Sequence, residues 1–270
     1  MGMREPLQTI QISDKRFECD GIRLVTVKSA ALGGRGDISI WLPPDVNELA
    51  ELPLAILLHG VYGSHWAWTM NGGAHRTAAR LVAERTIRPM ALVMPSDGLW
   101  GDGTAYCRHR ERDYERWIVE DVPLAARSLV PMDLRKHTPL FIGGLSMGGF
   151  GALHLGARHG REVFRAISAH SSMTDFEQMA QFVEEPLRNF GVLPKDRSVR
   201  DSILLNRNRL PALRFDCGTS DPLIDCNREL HGALVRAGIA HTYEEFPGGH
   251  EWAYWETHLA DSLMFFDGTL

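Results

Sequence analysis

Cysteine is scarce. The four present, Cys19, Cys107, Cys217 and Cys226, include no C-x-x-C pair, so neither a disulfide framework nor a zinc-ligand spacing is indicated and reduced thiols are expected. No run approaches the roughly 18 consecutive apolar residues of a membrane-spanning helix. The opening segment, MGMREPLQTIQISDK, carries neither an apolar core nor a cleavage signature of a secretory signal; a cytoplasmic location is the expectation. Basic charge is also lacking: a net charge of -5 and a pI near 6.2 give no stripe for nucleic-acid phosphates. The expected partner is a small molecule, with neither nucleic acid nor membrane. Repeats, linkers and low-complexity tracts are absent, and with 44% hydrophobic residues the chain has material for one core. A single α/β domain over residues 1–270 is expected.

Extended segments are read at residues 22–30, 37–43, 54–60, 89–96, 139–144, 163–169, 213–221 and 241–249. From the third onward most are short continuous apolar runs, as in strands buried on both faces of a parallel sheet. The first two alternate more clearly and read as antiparallel edge strands. Helical stripes lie between them: Ile118, Val122, Ala125 and Leu129; then Leu230, Ala233 and Ala237; then Trp252, Trp255, Leu259, Leu263 and Phe266. Strand–helix alternation of this kind predicts a mostly parallel central sheet with helices on both faces. Residues 172–212, after the sixth of these strands, carry helical periodicity but no strand, and Ser198 with Asp201 resembles a helix-start box. They read as a helical insertion overhanging the carboxyl ends of the strands, in the position of a partial lid.

Gly144-Leu145-Ser146-Met147-Gly148 matches G-x-S-x-G between an apolar strand and a helix-like run. That context is what a nucleophile elbow requires, because a tight strand-to-helix turn admits only small residues two positions either side of the serine. A serine hydroxyl needs a base to take its proton and a carboxylate to orient that base. In this arrangement the chain order is Ser, then Asp or Glu, then His. Asp221 follows a strand, and His250 follows the last strand on a Gly-Gly loop. Asp221 is preferred to Asp216, which lies inside its strand, and to Asp225, where helix capping is expected. His250 is preferred to His154, His159, His241 and His258. The amides of Met147, at a helix start, and Val61, after His59-Gly60, are the expected oxyanion donors.

Substrate contacts are expected from His59, Gly60, Trp66, Trp100, Tyr106 and Trp252. For His59 a loop brace is preferred to a proton carrier, and for Trp252 and Trp255 packing that fixes the His250 loop is preferred to substrate contact. Asp97, Trp100 and Tyr106 are expected near the rim, and Cys107 beside them within reach of thiol reagents. Asp97 and Asp102 lack the remaining ligands of a calcium loop, so no metal or cofactor is called for.

In order, LLHGVYGSHWAW, MPSDGLWGDGTAY, YERWIVEDVP, GGLSMGGFGAL, GTSDPL and GGHEWAYW resemble the esterase D family of α/β hydrolases, a likeness that covers the chain from about residue 37 to 266. That family includes tributyrin esterases and S-formylglutathione hydrolases, with feruloyl esterases and mycolyltransferases as relatives. The resemblance implies an α/β-hydrolase fold, Ser146 as nucleophile with Asp221 and His250, and the amides of Val61 and Met147 as oxyanion hole. HGVYGSH departs from the S-formylglutathione hydrolase pattern, which places the likeness nearer the tributyrin-esterase branch. The expected function is therefore a cofactor-independent serine carboxylesterase acting on short acyl esters. Alternatives are a feruloyl- or acetyl-type carbohydrate esterase, an S-formylglutathione hydrolase, an acyltransferase, or a binding module on a hydrolase scaffold. An exposed strand edge near the N-terminus offers a surface for homodimer pairing.

Overall fold

The computed structural model describes residues 7–49, 51–99, 101–109, 112–130 and 138–270. Nine strands among them form one sheet: β1 (Leu7–Ile12), β2 (Ile22–Ser29), β3 (Gly34–Trp41), β4 (Leu54–Leu58), β5 (Ala91–Pro95), β6 (Leu140–Leu145), β7 (Ala166–His170), β8 (Ala212–Gly218) and β9 (Thr242–Phe246). Their order is β1-β2-β3-β5-β4-β6-β7-β8-β9. The first three pair antiparallel, and β3 runs antiparallel to β5. From β5 through β9 every pairing is parallel. All eight expected strands are present, but neither β2 nor β3 is at the edge: β1 lies outside β2, and β3 is paired on both sides, with β2 and β5. β4, β5, β6 and β7 are buried along their whole length, which is why they read as unbroken apolar runs.

Two hydrophobic layers cover the faces. Helix α1 (Ala74–Ala83) and the last helix, α6 (Trp252–Asp267), pack on one face through Ala78, Leu81, Leu259, Leu263 and Phe266. On the other lie α2 (Val122–Ser128), α3 (Met147–His159) and α5 (Ile224–Arg236), buried through Val122, Phe150, Leu153, Leu230 and Leu234. The insertion holds no strand but is less helical than its periodicity predicts. Apart from α4 (Val199–Leu205), its helical pieces are short 3-10 turns, because Pro186, Gly191 and Pro194 interrupt it. Ser198 does cap α4, accepting from the Asp201 amide. Among the described residues no helix is long and apolar enough to cross a membrane.

Parallel strands bring their carboxyl ends to one edge of the sheet. The loops after β4, β5, β6, β8 and β9 therefore converge there, around the point where the chain turns from β4 to β5 on one side and β6 on the other.

Candidate active site

Ser146 sits at the turn from β6 into α3 with φ 55° and ψ -119°, a conformation that costs a non-glycine residue on the order of 1–3 kcal/mol and persists only where neighbours enforce it. The neighbours do so by close approach. A Cβ on Gly144 would stand 2.3 Å from the Gly148 carbonyl oxygen, and one on Gly148 would stand 2.2 Å from the Leu58 carbonyl oxygen. The Ser146 amide donates to the His170 carbonyl at 3.0 Å, tying the elbow to β7. Gly148→Ala would force backbone against backbone, with no side-chain rotation to relieve it. Urea denaturation should show a loss of roughly 3 kcal/mol, and ester hydrolysis should fall with it.

The loop after β8 delivers Asp221, and the loop after β9 delivers His250. His250 Nε2 lies 3.0 Å from Ser146 Oγ. Its Nδ1 lies 2.9 Å from Asp221 Oδ2 and 3.1 Å from Oδ1. Asp221 is fully buried, and its Oδ1 also accepts from the Leu223 amide at 2.8 Å. A carboxylate facing Nδ1 favours the tautomer with the proton there, which leaves Nε2 free to accept from the serine hydroxyl. The imidazole is steadied on two sides, by Phe182 stacked at 6.0 Å and by Trp255 edge-on at 5.0 Å.

Met147 opens α3, and the first-turn amides of a helix have no intrahelical acceptor. After β4, side-chain donors claim three successive carbonyls. Trp68 donates to that of Leu58, Tyr106 to that of His59, and His59 Nδ1 to that of Gly60. A trans peptide directs C=O and N–H oppositely, so holding the Gly60 carbonyl against the His59 ring turns the Val61 N–H to the other side. Val61, Ser146 and His250 line one cavity of about 460 Å³.

Gly60, Trp66 and Trp252 line this cavity. His59 and Tyr106 do not. His59 is buried, with Nε2 accepting from the Asp97 amide, and so braces two loops rather than touching substrate. Tyr106 is wholly buried with its hydroxyl on the His59 carbonyl. Asp97 is likewise interior, its oxygens taken by the amides of Leu99 and Thr104. Cys107 is buried, and that burial pushes its thiol well above the usual range, so it is not the reagent-accessible rim cysteine expected. Trp100 lies outside the described residues. The rival groups are engaged elsewhere: His154 with Ser202, pushed down to about 4 by burial, His159 with Glu115, His258 with Asp261, and His241 with His231. Asp225 is exposed beside Arg228.

Sequence reasoning missed Tyr62 and Phe182, which also line the cavity. The Tyr62 hydroxyl donates to the Phe182 carbonyl. Next to it, Asp102 accepts from the Glu184 amide at 2.9 Å, and its own amide donates to Glu185 at 3.0 Å. The insertion is thereby clasped to the loops beyond β4 and β5. Proximity to Val61 could have flagged Tyr62; nothing local marks Phe182.

The family model described as "Putative esterase" matches residues 29–266. An acetyl esterase of Caldicellulosiruptor saccharolyticus is 26% identical over 231 residues, covering 79% of this chain and 82% of its own. Among solved structures, a ferulic acid esterase superposes with TM-score 0.74 at 24% identity, covering 97% of this chain and 99% of its own. The S-formylglutathione hydrolase of Staphylococcus aureus gives TM-score 0.76 at 17% identity, covering 95% and 99%. At such identities the structures establish the α/β-hydrolase fold.

Proposed function

Since the chain belongs to the esterase family and is a carboxylic ester hydrolase, we propose that it acts as a serine carboxylesterase on short-chain acyl esters. The supporting observation is the unbroken hydrogen-bonded line from Ser146 Oγ through His250 to buried Asp221, at the wall of an apolar cavity. In this reading His250 Nε2 takes the hydroxyl proton as Ser146 Oγ attacks the ester carbonyl carbon. The carbonyl oxygen gains the negative charge and is held by the amides of Val61 and Met147. As the tetrahedral centre collapses, the C–O bond to the alcohol breaks and His250 returns its proton to the leaving oxygen. Water, deprotonated by His250, then attacks the acyl-enzyme, and Ser146 leaves with the proton. Asp221 holds the imidazole in the competent tautomer and steadies its positive charge. Every group in this sequence is the chain's own or water.

The short-acyl preference rests on the cover. Phe182, carried in by the insertion, closes one side of the cavity, and Trp252 and Trp255 close another; residues 172–212 act as a partial lid. The acetyl esterase relative points the same way. A second reading is favoured by the aromatic lining of Tyr62, Trp66, Phe182 and Trp252, which would also suit a hydroxycinnamoyl group. The test is a p-nitrophenyl series of acetate, butyrate, octanoate and decanoate, with methyl ferulate alongside. Highest kcat/KM on acetate or butyrate is expected. An optimum at decanoate would contradict the short-acyl reading, and an optimum at methyl ferulate would favour the second.

A further inference from the structure

Behind the elbow lies a second Ser–His–Asp line that no step above uses. His170 Nδ1 is 2.8 Å from Asp216 Oδ2, and His170 Nε2 is 2.8 Å from Ser262 Oγ, which in turn meets Ser168 Oγ at 2.7 Å. The Tyr254 hydroxyl donates to Asp216 Oδ1 at 2.8 Å, and the Arg214 guanidinium donates to Oδ2. All six side chains are buried, so no ester reaches Ser262 and this line is not a second active site. Burying so many polar groups is tolerable only because each is paired. Burial alone would raise the Asp216 carboxyl, but His170, Arg214 and Tyr254 together hold it below the ordinary carboxylate range.

The neighbours of this cluster lead back to the elbow and to the His250 loop. The His170 carbonyl is the acceptor of the Ser146 amide, and the Asp216 carbonyl accepts from the Ser171 amide. The Tyr254 ring lies directly under the loop that carries His250: a Cβ on Gly248 would be 2.7 Å from Tyr254 Cδ2, and Gly248 has φ 141°. The Gly248 carbonyl then accepts from the Ser220 amide, next to Asp221. Two short contact paths thus leave one carboxylate. The first runs through His170 to the Ser146 elbow; the second runs through Tyr254 and Gly248 to His250. The strand that bears Asp216 continues directly into the Asp221 loop.

The geometry points to Tyr254 and His170 as positioning residues for hydrolysis, anchored on Asp216, that set the Ser146–His250 separation. This rests on the assignment of Ser146 and His250 given above. Displacements of about 1 Å at reacting groups cost on the order of a hundredfold in rate, so a pin two contacts removed has room to act. Tyr254→Phe removes one oxygen, keeps the ring beneath Gly248, and leaves Asp216 two donors.

The experiment measures kcat and KM on p-nitrophenyl butyrate per active site, with sites counted by stoichiometric phosphonylation, for wild type, Tyr254→Phe and Ser262→Ala. Tyr254→Phe should lower kcat per site about tenfold, with KM changed less than twofold and the rate of phosphonylation reduced in parallel. Ser262→Ala, which leaves both ties to Asp216 in place, should show a smaller loss in the same direction and serves if Tyr254→Phe folds poorly. If both variants keep wild-type kcat per site and lose only melting temperature, the cluster is structural and the inference falls. A change confined to KM overturns it as well. Failure of wild type to be phosphonylated at Ser146 would instead sink the nucleophile assignment, so the two failures are distinguishable.

Discussion

Ser146→Ala should reduce kcat for p-nitrophenyl butyrate by on the order of 10⁴-fold or more, because covalent catalysis has no second route once the nucleophile is gone. The substitution deletes one oxygen whose side-chain partner among the described residues is His250 Nε2. The elbow itself is held by backbone contacts at Gly144, Gly148 and the His170 carbonyl, none of which uses the hydroxyl. Stability should therefore change by less than about 1 kcal/mol, and KM should move little, since the cavity walls remain. A residual rate of this size separates serine catalysis from simple binding of the ester beside polar groups. The check is steady-state hydrolysis by wild type and variant purified in parallel, with melting curves to show that both are folded.

Asp221→Asn should cost about 10⁴-fold in kcat while preserving shape. The carboxylate now accepts from His250 Nδ1 and from the Leu223 amide. An asparagine can satisfy the amide with its oxygen, and its NH₂ then faces Nδ1. That group donates, so the imidazole must present a lone pair there and carry its proton on Nε2. A protonated Nε2 in neutral imidazole cannot take the serine proton. Two effects add: the wrong tautomer, and the loss of a buried negative charge beside the imidazolium that forms during attack. Measured kcat within tenfold of wild type would mean that Asp221 does not orient the base. Asp225→Asn is the internal control, because its carboxylate is exposed and lies 3.6 Å from the Arg228 guanidinium; no change in kcat is expected.

Much of this architecture is legible without coordinates because steric constraints write themselves locally. Gly144 and Gly148 are dictated by backbone atoms 2.2–2.3 Å from where a side chain would begin, so the elbow is visible as a five-residue motif. Strands buried on both faces leave continuous apolar runs. β1 leaves no such mark: as a sheet edge it has Thr9, Gln11 and Ile12 exposed, and only Leu7 and Ile10, half-buried, pack against the core. Sequence position alone puts Tyr106 at the rim, because its loop follows a strand whose end faces the site. Instead Ala105 and Tyr106 both take positive φ, 51° and 55°, and swing the ring inward to the His59 carbonyl. Nothing in GDGTAYC announces that turn. Phe182 and the clasp to Tyr62 and Asp102 depend on where a loosely helical segment comes to rest, which is a tertiary fact. The Asp216 cluster is hidden for the same reason, since its members come from β7, β8 and α6 and meet only in the folded sheet.

The most direct measurement is intact-protein mass spectrometry of wild type and Ser146→Ala after incubation with an excess of an alkyl fluorophosphonate, followed by peptide mapping. A serine activated by His250 should take up one equivalent, on the peptide bearing Ser146, with hydrolysis lost in step. Ser146→Ala should take up none. An unlabelled wild type that still hydrolyses esters, or a label carried by another residue in both proteins, would contradict nucleophilic catalysis at Ser146.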